Sequence, residues 1–416
     1  MARLLFGYNQ LFCAESVLNG EWSLSLFEDL NRLIEGVVLY DEIVLLGAHS
    51  VGTSNVYSTL KREGVITELL DDDLLSLVAR PETQERFRSN VVHAFGLSNA
   101  AANQLPANKI LTSRIPATPA DQEAYTTLAR TVGSFQTADG YELSRLSEWL
   151  RVHIVQSHEH AASFNYFTRS LLYDAIADIA ELDYAPDFLR LPVAAAAFSA
   201  PRKPVTKALY DALRGRLESE FEALTALGMP AAMFLPPLTS SVLQRGTARG
   251  DIINEVLELR RRFEPYRTTY REFEAILRDK DRTFGEKIAA KKRLFTEILG
   301  VLDSKPGEHA LHIRTLWDKV VNSSLDEKGV GTAFSLSGAV SLLVDQLLVE
   351  RTKGRARALF DLWTDALNVK DYGSLVRRTF GVEISPAEVD FVKGYSQAVR
   401  AIIRSGAFLP SSPGSG

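Results

Sequence analysis

Apolar side chains recur every three or four residues along most of this 416-residue chain, and that spacing confines it to a fold built mainly of amphipathic helices. The first clear case is Leu26, Phe27, Leu30, Leu33, Ile34, Val37 and Val38, opened by Ser25 and Glu28 in a capping-box pattern. A helix starting at Ser25 is expected. The segment Glu42-Ile-Val-Leu-Leu46 then changes to an unbroken aliphatic run stopped by Gly47, which predicts a buried strand. Arg3 to Phe6 is a second strand candidate. Asn55 to Arg62 has helical character, Gly64 stands where a helix end wants a left-handed residue, and Val65-Ile66 adds a brief strand. Residues 1 to about 80 are therefore expected to form a small α/β unit.

Beyond Pro81 the helical period dominates. Pro106, Pro116 and Pro119 punctuate a polar stretch; the next helical pattern ends before Pro186 and Pro192, and an Ala-rich run with Pro201 and Pro204 closes that section. The expected segments are residues 1–104, α/β plus helix; residues 120–200, helical; residues 205–408, a helical body with a long hairpin; and residues 409–416, a flexible Pro/Ser/Gly tail. In the body, Leu209, Leu213, Leu217, Phe221 and Leu224 share a helix face that stops at Gly228 and Pro230. Asp251 caps a longer pattern through Ile252, Val256, Leu259, Phe263, Tyr266, Tyr270, Phe273 and Leu277, which Pro265 must bend or split. Phe284 to Leu299 is expected to return as the hairpin's second arm. The fold class expected is mainly α, a small α/β N-terminal region followed by a multi-helix, bundle-like body.

Composition excludes some functions. Forty-seven basic against fifty-two acidic residues, net −5, give no bulk attraction for nucleic acid or anionic membrane. Cys13 is the single cysteine, so no intramolecular disulfide and no thiolate-rich metal site can form. It lies beside Phe12 in an apolar setting that suits an inert thiol better than a nucleophile. The N-terminus lacks a secretory apolar region, and Leu191 to Ala200 and Phe334 to Leu348 are too short to span a bilayer. A cytoplasmic protein without a membrane segment is expected.

Three clusters invite chemistry. His153, His158, Glu159 and His160 supply imidazoles and a carboxylate that suit zinc or another divalent ion, with Glu159 as a base. On one continuous helix His153 and His160 stand about 10 Å apart, and no His-Glu-x-x-His occurs. An interhelical turn with solvated imidazoles explains the cluster more simply. Asp71-Asp72-Asp73 together with Asp41-Glu42 resembles carboxylates that hold magnesium at strand ends, although acidic residues at helix starts ordinarily cap them. The third cluster is basic: Arg260, Arg261, Arg262, Arg267, Arg271, Lys291, Lys292 and Arg293 interleave with aromatics in a way that suits phosphates or an acidic partner. Interspersed Glu and Asp dilute it, and the aromatics fall on the core stripe, as on a solvated helix face laced with ion pairs.

No phosphate-binding glycine loop, dinucleotide fingerprint, nucleophile elbow or calcium loop is present. Since most signals explain packing, the leading expectation is a non-enzymatic protein-interaction or scaffold component that needs no cofactor and has a protein partner or self-associates. The alternatives are a zinc- or magnesium-dependent phosphodiester hydrolase using the histidine cluster, and a nucleic-acid-binding protein using the Arg260–Arg293 surface.

Overall fold

The computed structural model describes residues 3–46, 54–95, 160–187, 238–246, 248–279 and 372–386, with isolated positions between and beyond them. These residues are mostly helical around a small parallel four-stranded sheet. In chain order the N-terminal part comprises β1 (Arg3–Gly7), α1 (Tyr8–Asn19), α2 (Leu24–Leu39), β2 (Glu42–Leu46), α3 (Asn55–Arg62), β3 (Ile66–Leu69), α4 (Asp71–Ala79) and α5 (Pro81–Phe95). Then come α6 (His160–Ile179), β4 (Asp183–Ala185), α7 (Leu238–Arg245), α8 (Ile252–Arg262), α9 (Glu264–Arg278) and α10 (Tyr372–Phe380).

The strands expected at Arg3–Phe6 and Glu42–Leu46 and the helix α3 form where the sequence places them, whereas the brief strand expected at Val65-Ile66 runs from Ile66 to Leu69. Gly64, at φ +68°, takes the left-handed position that ends α3, and the Val65 amide bonds back to the Leu60 carbonyl at 2.9 Å. The start of α2 is a correction: Ser23, not Ser25, is its cap, and the Ser23 hydroxyl accepts from the Leu26 amide at 3.2 Å. Serine can cap at either position, only Ser25 has a Glu three residues on, and the extended backbone of Ser23 decides between them. The 251–277 pattern is split at Phe263, with Pro265 in the first turn of α9, where its missing N–H costs nothing. The helices expected over residues 209–224 and 284–299, and the 409–416 tail, fall wholly or mostly outside the described residues.

The sheet has the order β3-β2-β1-β4, with Leu4 opposite Ile43 and Asp183, and Phe6 opposite Leu45 and Ala185. Its fourth strand comes from the 120–200 segment. Three residues before Pro186 carry too little period to be read as a strand, and it is their pairing with β1 that makes them one. Alternate residues serve opposite faces. Leu4, Phe6, Ile43, Leu45, Ile66 and Ala185 join one core with residues of α1, α2, α3, α7, α8, α9 and α10. Tyr184 turns to the other face, where its hydroxyl lies 3.2 Å from Ser170 Oγ and its ring meets Tyr173 of α6. On that face α6 is tied to α5 through the Asn90 amide, which donates to the Leu171 carbonyl and to Asp174, with Arg86 between Asp174 and Asp178.

Helices thus cover both faces of a parallel sheet, which explains its near-continuous apolar strands. The chain lays β1, β2 and β3 side by side with their connections on one face. It then returns to the far side of β1 for β4, preceded by α6 on the other. Gly36 lets α2 approach closely: a Cβ there would stand 2.8 Å from Leu4 Cδ2 and 3.2 Å from Ile43 Cδ1.

Candidate functional site

The connection that leaves β1 and the helix α6 that leads into β4 lie on opposite faces, so the carboxyl ends of these two strands flank the position where open α/β sheets form a crevice. Polar side chains converge there from three elements. Gln10 and Cys13 come from α1, which opens directly after β1; Asp29 and Arg32 come from α2; and Asp187 follows β4 by two residues.

Asp29 and Gly36 are seven residues apart on α2 and share its sheet-facing stripe. Gly36 rests on the strands, while Asp29, two turns nearer the start of the helix, lies toward their carboxyl ends. Asp29 is 4 % exposed, and burial followed by the charge of Asp187 raises its carboxyl well above the ordinary carboxylate range. Arg32, Gln10 and Cys13 act in the opposite direction. The Cys13 thiol is pushed up to about 12, first by burial and then by Asp29 and Asp187. A thiol in this state is no nucleophile, in keeping with the sequence reading.

The hydrogen bonding of this cluster is incomplete. Gln10, 3 % exposed, turns its Oε1 to the Gly7 amide at 2.8 Å and interacts with Asp29, but among the described residues its Nε2 makes no close hydrogen bond. Asp29 Oδ1 and Arg32 Nε are likewise buried without one. Asp187, in contrast, is held by Arg190 at 3.3 Å and by the Arg190 amide at 2.9 Å. Further along the same edge, Tyr57 donates to Glu68 of β3 and receives the Lys61 ammonium at 2.6 Å, while the Tyr8 hydroxyl is buried and unpartnered.

At the opposite, amino edge of the sheet the polar groups are matched. α2 carries no basic residue in its last turn, and two arginines of the basic cluster cap it from outside. Arg260 donates to the carbonyls of Val37, of Tyr40 at 2.6 Å and of Asp41 at 2.7 Å; Arg267 donates to the Val38 carbonyl at 2.7 Å and pairs with Glu264. Burial and neighbouring Arg267 disfavour the Arg260 charge, and Asp41 and Glu264 favour it. Arg271 reaches Asp41 at 3.7 Å, Arg261 pairs with Glu258, Arg293 with Glu272 at 3.0 Å, and Arg262 is half-buried. Lys291 and Lys292 lie outside the described residues. Tyr266 and Phe273 are core residues, as their spacing indicates.

The acidic clusters stand apart. Asp41 precedes β2 and Glu42 opens it at the amino edge, whereas Asp71, Asp72 and Asp73 follow β3 at the carboxyl edge and open α4. Among the described residues no group of three or more His, Cys, Asp or Glu side chains is placed to hold a metal ion. His153, His158 and Glu159 lie outside those residues, and His160 is described only as the first residue of α6. Among the described residues no helix is long and apolar enough to cross a membrane.

Gln10, Asp29, Arg32 and Asp187 were missed in the sequence. The available signal was an acid and a base set among the apolar residues of one helix, Leu26-Phe27-Glu28-Asp29-Leu30-Asn31-Arg32-Leu33. No family model, curated protein or solved structure matches the chain, and its functional reading rests on these residues themselves.

Proposed function

We propose that this chain binds a small polar molecule at the carboxyl edge of its sheet, between β1 and β4. One observation carries the reading: among the described residues Gln10 Nε2, Asp29 Oδ1 and Arg32 Nε are buried without a close hydrogen-bond partner where the strand order reverses. Buried polar groups are satisfied in the great majority of cases, because each orphan costs about 1–3 kcal/mol. A ligand that supplied the missing partners would offset that cost. The rest of the chain, read as a multi-helix, bundle-like body in a cytoplasmic protein, is the part proposed to meet a protein partner.

Backbone amide spectra of the full-length protein, recorded against a panel of small anionic, cationic and neutral polar compounds, test the site. Saturable shifts centred on Gly7–Gln10, Asp29–Arg32 and Asp187 are expected for at least one compound. A panel without binders, or shifts confined to other elements, would overturn the proposal.

A further inference from the structure

Arg32 narrows the class of ligand. It is 6 % exposed, and its buried Nε has no hydrogen-bond partner among the described residues. A guanidinium carries five donors and keeps its charge in proteins, so a buried N–H of it left without an acceptor is unfavourable. The two acids of the cluster are drawn in other directions as well. Asp187 is committed to Arg190, and Asp29, which feels the Arg32 charge, is held toward its neutral form by burial and by Asp187. The other two buried arginines of the described residues contrast with it, Arg190 pairing with Asp187 and Arg267 with Glu264, and the half-buried Arg260 donates to backbone carbonyls. Helix α1 begins at the same edge, and its amino end favours negative charge.

We infer that the ligand at the carboxyl edge is an oxyanion, a phosphate or carboxylate group held by the planar fork of Arg32, with Gln10 and Asp29 beside it as hydrogen-bonding neighbours. The inference rests on the small-molecule reading above and deepens it. A guanidinium matches both groups through two parallel N–H···O bonds, so the shared chemistry is the pair of oxygens, and experiment separates the sources.

The test uses the full chain and Arg32→Met, with thermal unfolding followed in chloride, inorganic phosphate and acetate at equal ionic strength. Without added oxyanion, Arg32→Met should unfold at a higher temperature than the wild type, since methionine removes a buried charge at similar volume. Phosphate or acetate should raise the wild-type midpoint in a saturable way, with apparent affinity at least tenfold weaker in Arg32→Met and partly kept in Arg32→Lys. The more effective anion identifies the source. A destabilised Arg32→Met shows that the guanidinium has a structural partner and overturns the inference, as does a wild type indifferent to both anions. Cationic or neutral panel compounds that shift the β1–β4 edge and bind Arg32→Met undiminished would remove the oxyanion while leaving the small-molecule site intact. Absence of any binder removes both.

Discussion

The two edges of the sheet solve the same problem in different ways. At the amino edge the C-terminal carbonyls of α2 meet Arg260 and Arg267, and Tyr40 donates to Asp183 at 2.6 Å. At the carboxyl edge Gln10, Asp29 and Arg32 keep atoms that have no hydrogen-bond partner among the described residues. Both edges bury arginine, so burial of charge does not separate them; the difference lies in whether the chain provides its own acceptors. Where it does, the arginine is part of the fold. Where it does not, the fold holds a cation in readiness for something else.

The most damaging way to break the contrast is at the amino edge. Arg260→Met should cost about 2–4 kcal/mol in urea unfolding, because it strands backbone carbonyls that charged donors now satisfy. Arg32→Met has the opposite expected sign, so two identical substitutions distinguish the edges. Gly36→Val lies between them, and overpacking against Leu4 and Ile43 should cost about 1–3 kcal/mol, measured by the same unfolding curve, with no dependence on added anion.

A subtler prediction concerns pH. The raised Asp29 carboxyl means that the folded chain binds more protons than the unfolded chain above the ordinary carboxylate range. Its contribution to stability therefore declines as pH rises from that range to the raised folded value, and is level beyond it. Asp29→Asn cannot titrate. Its stability relative to the wild type should grow across that window and then stay constant, as thermal midpoints over a pH series will show; an unchanging difference would mean that Asp29 titrates normally. The smallest effect is at Cys13, where labelling by an aromatic disulfide near neutral pH should be at least tenfold slower in the folded than in the urea-unfolded protein. Asp29→Asn should restore only part of that rate, because burial is the leading cause of the shift.

Much of the local structure was legible in the sequence. The alternation of a 3.6-residue stripe through Leu26–Val38 with the aliphatic run Glu42–Leu46 is a property of contiguous residues, and so are the Gly64 stop and the split at Pro265. The site was not legible, because Gln10, Asp29 and Asp187 are ordinary polar residues until the chain brings them together. The basic cluster shows the reverse case. Its composition suggested a surface for phosphates, while the fold spends Arg260 and Arg267 on carbonyls more than 200 residues earlier in the chain.

What the sequence determined by itself is the periodic part: which segments are helices or strands, which faces are apolar, and the presence of a single thiol. Those follow from local geometry and side-chain chemistry, which need no distant partner. Tertiary structure decided the rest: that Asp183–Ala185 completes the sheet beside β1, that strand order reverses there, and that one buried arginine is satisfied and another is not. A hydrogen bond or an unmatched charge depends on what lies within a few ångströms in space, and separation along the chain carries no record of it.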